Sequence, residues 1–219
     1  RVGEAEDSFK LLFGGAPACY MRRRVKVLRH AKYAARRLPP ALADMAGGIA
    51  DAVARIGGGL RGGTGPFTGR WTDQVDPGMA ALWQASQTGP SWNAARDEAM
   101  LRWRFDRLPS SRRRHLLVEN ARGHLQAWFA CDSNFFDPEI LVVEDFWCEG
   151  GPDAIDAFAV RVLCREAAAL GFCAVEIRSG APDTARAWIR EGFVERNKYP
   201  VFMAWLNASL APGHGDALH

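Results

Sequence analysis

Glu139-Ile-Leu-Val-Val-Glu-Asp-Phe146, then Gly150-Gly151-Pro152, then Asp153 to Leu170, read in order as a strand, a glycine-bearing turn and an amphipathic helix. The strand is apolar in its middle, which predicts burial on both faces. In the helix, Ile155, Phe158, Ala159, Val162, Leu163 and Leu170 recur along one side, and Gly171 is placed to close it in the left-handed conformation that ends many helices. Free backbone N–H groups and the positive end of the helix dipole converge at such a junction, so it is where an anionic ligand is expected.

Working outward, Cys173 to Arg178 predicts a further strand, and Asp183 to Glu191 a short helix stopped by Gly192. Phe193 to Arg196 and Val201 to Leu206 predict a last pair of strands with Tyr199-Pro200 in the turn between them. Upstream, Phe67 to Trp71 predicts a short strand, Pro77 to Gln87 a helix, and Ser91 or Asn93 to Phe105 a second helix. His115 to Glu119 and His124 to Ala130 flank Asn120-Ala121-Arg122-Gly123, a turn composition that predicts a hairpin. Gly57-Gly58-Gly59 and Gly62-Gly63-Thr64-Gly65 predict a flexible connector, preceded by a helix over Ala41 to Ile56 with Leu42, Met45, Ile49, Val53 and Ile56 on one stripe. The expected organisation is a leading fragment over 1–38, helix and linker over 39–65, the main domain over 66–206 and a disordered tail over 207–219.

The 219 residues are 48% hydrophobic and 24% charged, the balance of an ordinary globular chain able to bury a core. The longest run free of charged side chains, Pro77 to Ala95, is broken by polar residues, Gly and Pro, so no membrane span is expected. No signal peptide is expected either, and the reading is a cytoplasmic protein. Arg1 in place of methionine leads us to expect upstream sequence. The five cysteines form no C-x-x-C pair, which predicts reduced thiols rather than a disulfide framework. A net charge of +3 hides an asymmetry: Arg22, Arg23, Arg24, Lys26, Arg29, Lys32, Arg36 and Arg37 fall between Tyr20 and Leu38 with no acid among them. Arg112-Arg113-Arg114 is a second basic run. Nucleic-acid binding would call for interleaved aromatics, and only Tyr20 and Tyr33 lie in the first run, so a solvated face is the expectation.

The predicted order over 66–206, β-α-α-β-β-β-α-β-α-β-β, resembles the α/β fold of the GNAT superfamily of N-acetyltransferases, a mixed sheet flanked by helices. Arg96-Asp-Glu-Ala-Met-Leu-Arg-Trp-Arg-Phe105 also resembles an RD…LRWRF stretch of GNAT-like proteins associated with bacterial exopolysaccharide genes. Gly15-Ala16-Pro17 and Gly180-Ala181-Pro182 head two segments of similar plan. Either this is an internal echo, making the first residues the trailing end of an earlier GNAT-like half, or the tripeptide recurs by chance.

The resemblance implies transfer of an acyl group from acetyl-CoA or another acyl-CoA to an amine, for instance on an amino sugar or cell-envelope precursor. It places the cofactor along Val142, Val143 and Trp147 and in the turn at Gly150, Gly151 and Ala154. The family's basic loop residue is absent, Pro152 removes an N–H donor, and Glu149 and Asp153 bring negative charge. Asp153 therefore reads either as a helix cap or as part of an anion site, with the cap favoured. Such a transfer needs a base and a proton donor for the leaving thiolate. Glu144 or Asp145 is the candidate base, one of the two facing the cleft, and Tyr199 the candidate donor. Both carboxylates are equally well read as structural ion-pair partners. The family's usual tyrosine is replaced by Trp188, which cannot protonate sulfur as a phenol does. His115 and His124 lack a third ligand for a metal, and Cys148 lacks a paired histidine. The eight tryptophans suit a sugar-stacking cleft or a core. The alternatives are a non-catalytic GNAT-like half that scaffolds or binds substrate for an active upstream half, and an aminoacyl-tRNA-dependent transferase of related fold; the expected protein partner is an upstream GNAT-like half or a second copy in a homodimer.

Overall fold

The computed structural model describes residues 19–35, 65–86, 94–107, 113–180 and 185–201, with single positions at 39, 42, 48, 49, 52 and 63. The expected helix over Ala41 to Ile56, the glycine connector, the echo at Gly15 and Gly180-Ala181-Pro182, the strand over Val201 to Leu206 and the tail lie wholly or mostly outside these residues.

The described elements are strands β1 (Cys19–Val27), β2 (Thr68–Thr72), β3 (Arg114–Glu119), β4 (Leu125–Ser133), β5 (Ile140–Cys148), β6 (Ala174–Ser179) and β7 (Val194–Val201). The helices are α1 (His30–Ala34), α2 (Pro77–Ala85), α3 (Glu98–Leu101), α4 (Ala157–Ala169) and α5 (Ala185–Arg190). They build one seven-stranded sheet in the order β2-β3-β4-β5-β6-β1-β7. All neighbours are antiparallel except β5 and β6. This is a mixed α/β architecture, a seven-stranded sheet flanked by helices, as the sequence reading expected.

Alternation along the central strands sorts side chains onto two faces. Leu141, Val143, Phe146 and Cys148 of β5 join Leu116, Phe129, Val175 and Ile177 in a core closed by Ala159, Val162, Leu163 and Ala167 of α4. Gly69 admits α4 to the β2 edge, because a Cβ there would lie 2.8 Å from Val162 and Glu166 side-chain atoms. On the opposite face, Leu117, Trp128 and Trp147 pack with Met79 and Ala80 of α2 and with Leu101 and Phe105. Asp76 caps α2, its carboxylate accepting from the Gly78 N–H at 2.8 Å, and Asp97 caps α3 through the Met100 N–H at 2.8 Å. After α3 the chain widens into one π-helical stretch, Arg102–Asp106.

Three elements differ from expectation. The segment Cys19–Val27, set apart above as a leading fragment, is an interior strand, paired with β6 on one side and β7 on the other. β7 runs unbroken from Val194 to Val201, so Tyr199 and Pro200 lie within a strand opposite Met21 and Tyr20 rather than in a turn. Among the described residues β7 pairs only with β1, and an outer strand accommodates a proline that an inner one would not. Finally, Asp153 belongs to a single 3-10 turn, Pro152–Ala154, and α4 begins four residues later with Asp156 as its cap, the carboxylate accepting from the Phe158 N–H at 2.6 Å. Ile155, in an extended conformation (ψ 126°), separates turn from helix. No helix among the described residues is long and apolar enough to cross a membrane.

Candidate functional site

β5 and β6 form the only parallel pair described, and their pairing stops at Val143 and Ile177, although β5 continues to Cys148 and β6 to Ser179. The strands part there. On the other side of β5 the register also slips: Ala130 faces Asp145 and Cys131 faces Val143, leaving Glu144 as an extra, bulged residue. The bulge explains how Leu141 and Val143 share a face with Phe146 and Cys148, and why Asp145 and Trp147 turn to the α2–α3 side.

Asp145 is buried and fully engaged. Arg96 reaches one carboxylate oxygen at 2.8 Å and Arg104 the other at 2.8 Å. The Arg96 guanidinium also lies 4.8 Å from the Trp147 ring centroid, and the Trp147 indole N–H donates to Ser86 Oγ at 2.6 Å. Arg96, Arg104 and Phe105 of the RD…LRWRF stretch thus converge on β5, a partnership that the ten-residue motif alone does not disclose. Glu144 is exposed and lies 3.4 Å from Arg113, which also faces Asp132 at 3.6 Å. Tyr199 sits on β7, with β6 and β1 between it and β5, and its hydroxyl accepts from Asn197 at 3.2 Å. Glu144 and Asp145 are therefore neighbours at the parting of the strands, and Tyr199 is not with them.

Gly150 and Gly151 both take positive φ, 86° and 89°, a conformation open to glycine. The turn they make satisfies itself. The Gly151 N–H donates to the Cys148 carbonyl at 2.9 Å, the Ala154 N–H to the Gly151 carbonyl at 3.1 Å, and the Cys148 thiol to the same carbonyl at 2.7 Å. With the Asp156 carboxylate at the first turn of α4, amides that a phosphate would seek already have partners. Cys148 is buried, and burial pushes its thiol up to about 12.

Two cavities flank this turn and share Ala154 and Asp156. One, about 300 Å³, is lined by Phe67, Gln126, Cys148 and Glu149. The other, about 470 Å³, lies between Ala154–Ala157 and the α5 residues Arg186, Ala187 and Arg190. Sequence reading passed over these two arginines; the signal was their spacing, four apart on a short helix following a parallel strand. Between this cavity and the sheet, Trp188 is fully buried, its ring 4.9 Å from Phe193, 5.5 Å from Phe146 and 6.0 Å from Phe129, all edge-on. Among the described residues no group of His, Cys, Asp and Glu is placed to hold a metal ion.

No family model and no curated protein matches the chain. Among solved structures it is similar to a conserved protein of unknown function from Enterococcus faecalis V583, described as a probable N-acyltransferase, with a TM-score of 0.49 and 8% identity over 89% of this chain and 41% of that one. It is also similar to a functionally unknown conserved protein from Staphylococcus epidermidis ATCC 12228, with a TM-score of 0.44 and 9% identity over 89% of this chain and 63% of that one. The chain thus spans less than two thirds of the length of either.

Proposed function

We propose that the chain is a GNAT-type N-acyltransferase module that takes an acyl-CoA in the crevice where β5 and β6 part, with an amine on a sugar or cell-envelope precursor as the acceptor class. The observation that carries this is the position of the 470 Å³ cavity. It lies between the element that follows β5 and the element that follows β6, at the carboxyl ends of two parallel strands, where open α/β sheets take their ligands. Arg186 and Arg190 supply there the positive charge that the glycine turn lacks, and guanidinium groups suit phosphate oxygens.

A bound acyl-CoA supplies an activated thioester. Arg186 and Arg190 would hold its diphosphate, and Ala154 and Ala157 would line its path. Glu144, exposed at the bulge, is the candidate to take the proton of the attacking amine. Asp145, both oxygens engaged by guanidinium groups, serves to position Arg96 and Arg104. Tyr199 remains the weaker candidate for protonating the thiolate, since two strands separate it from β5.

A second reading, a non-catalytic module that scaffolds an active partner, is favoured by a specific observation: the rings of Trp188 and Phe146 fill the α4 side of the crevice. Calorimetric titration with acetyl-CoA and desulfo-CoA separates the two. Saturable binding of both, lost in R186E/R190E, supports the acyltransferase reading. Absence of binding to the folded wild type rejects it and leaves the scaffold.

A further inference from the structure

Trp188 is 1% exposed, yet its indole N–H has no hydrogen-bond partner among the described residues. The other two fully buried tryptophans among those residues are satisfied: the Trp128 N–H donates to the Met79 carbonyl at 3.2 Å and the Trp147 N–H to Ser86 Oγ at 2.6 Å. Trp71 on β2 and Trp83 on α2 also hold unpaired indole nitrogens, but both residues are only partly buried and neither stands on an element that lines the 470 Å³ cavity.

Packing alone gives no reason for a donor here. The ring sits among Phe129, Phe146 and Phe193, where a phenylalanine would fill apolar space without bringing an N–H. A buried donor left unpaired costs the hydration it had in the unfolded chain, so native structures keep few of them. The place of this one is informative. Trp188 belongs to α5, the helix that follows β6, while Phe146 and Phe129 belong to β5 and β4. Its ring therefore bridges the two sides of the gap that opens beyond Val143 and Ile177, and its chain neighbour Ala187 lines the 470 Å³ cavity with Arg186 and Arg190.

We propose that the Trp188 N–H is held for a carbonyl oxygen on the acyl-pantetheine arm of the ligand, which makes Trp188 a binding residue of the crevice; this rests on the acyltransferase reading above. The chemistry of the group narrows its partner. An indole N–H donates and does not accept, so the partner is an acceptor atom. Among phenyl rings, a phosphate or carboxylate would lose its hydration with no countercharge to replace it, and the two arginines already offer that charge at the cavity. An uncharged carbonyl fits instead. The pantetheine arm is narrow, carries amide carbonyls along its length, and ends in a thioester carbonyl when acylated. Because the indole is shut off from solvent, the arm reaches it by widening the gap between β5 and α5.

The test pairs calorimetry with nitrogen-15 NMR of the indole groups. In the wild type, the Trp188 indole proton, assigned through its contacts with Phe146 and Phe193, is expected to move downfield on saturation with acetyl-CoA, as a proton does on gaining a hydrogen bond. This reading needs no variant. W188F, which keeps a ring and removes the donor, is expected to bind acetyl-CoA about tenfold more weakly, the worth of one hydrogen bond. An equal loss with desulfo-CoA places the bond on a pantetheine amide, and a loss confined to acetyl-CoA places it on the thioester. If the wild type binds both ligands but the Trp188 signal stays in place, or folded W188F binds both as tightly as the wild type, the proposal is overturned and the acyltransferase reading stands. If the wild type binds neither ligand, both fall together.

Discussion

Arg96 and Asp145 meet at 2.8 Å across 49 residues of sequence, and Arg104 closes on the other oxygen of the same carboxylate. The contact ties the start of α3 to the bulged part of β5. Removing the carboxylate strands one well-buried guanidinium and one half-exposed one. D145N should therefore cost about 2–4 kcal/mol, somewhat under the range for a fully buried pair. Urea unfolding should show a lower midpoint at unchanged slope. An unchanged midpoint would show that the clamp contributes nothing.

His115 is fully buried, and among the described residues neither ring nitrogen has a hydrogen-bond partner. Burial pushes its imidazole from 6.5 down to about 4, with Asp106 and Asp73 pulling the other way and Arg113 adding to the fall. The unfolded chain binds this proton more readily than the folded one, so stability is fully present above 6.5 and is lost as pH falls toward 4. The loss across that window is about 3 kcal/mol. H115L, which removes both unpaired nitrogens, should flatten that part of the pH–stability curve relative to wild type while leaving neutral-pH stability equal or higher. Parallel slopes for the two proteins would contradict this.

Thiol chemistry should separate one cysteine from four. Cys19 is exposed, whereas Cys131, Cys148, Cys164 and Cys173 are buried. Burial raises the thiols of Cys131, Cys148 and Cys164, the last to about 11. An aromatic disulfide reagent at neutral pH should titrate one thiol rapidly and the rest only on unfolding. A second fast thiol would show that the core opens locally.

Trp188 closes the crevice from the α4 side. W188A should lower stability by about 3–5 kcal/mol, the usual loss for truncating a buried tryptophan. Differential scanning calorimetry in the presence of acetyl-CoA adds a second reading. A ligand-induced rise in Tm that is larger for W188A than for wild type would mean the indole occupies room the ligand uses.

The element order from β2 to α5 was legible because each element carries its own local signal. Asn120 to Gly123 marks a hairpin, Pro77 a helix start, Gly171 and Gly192 helix ends, and the apolar run from Ile140 to Val143 a buried strand. With one local exception, the misreadings concern relations between distant residues. The bulge at Glu144 depends on how β4 pairs with β5, so alternation alone could not assign faces beyond it. The exception is Asp153, expected as the helix cap: the extended Ile155 delays the helix and leaves Asp156 to cap it. Tyr199-Pro200 looked like a turn until β1 supplied a strand for it to pair with. At the candidate site, the glycine turn was readable from composition, but that Arg186 and Arg190 line a cavity follows from α5 sitting beside the start of α4, a placement that their local spacing does not encode.

Arg22 and Glu195 are joined across β1 and β7 although 173 positions separate them. A ribosome releases the first of these strands long before it has made its neighbours on either side. Until β6 and β7 emerge, both hydrogen-bonding edges of β1 stay bare, a hazard for nascent chains that cluster. Late closure of this kind places the molecule among slow folders, and makes β7, synthesised far later, the strand that locks β1 in place.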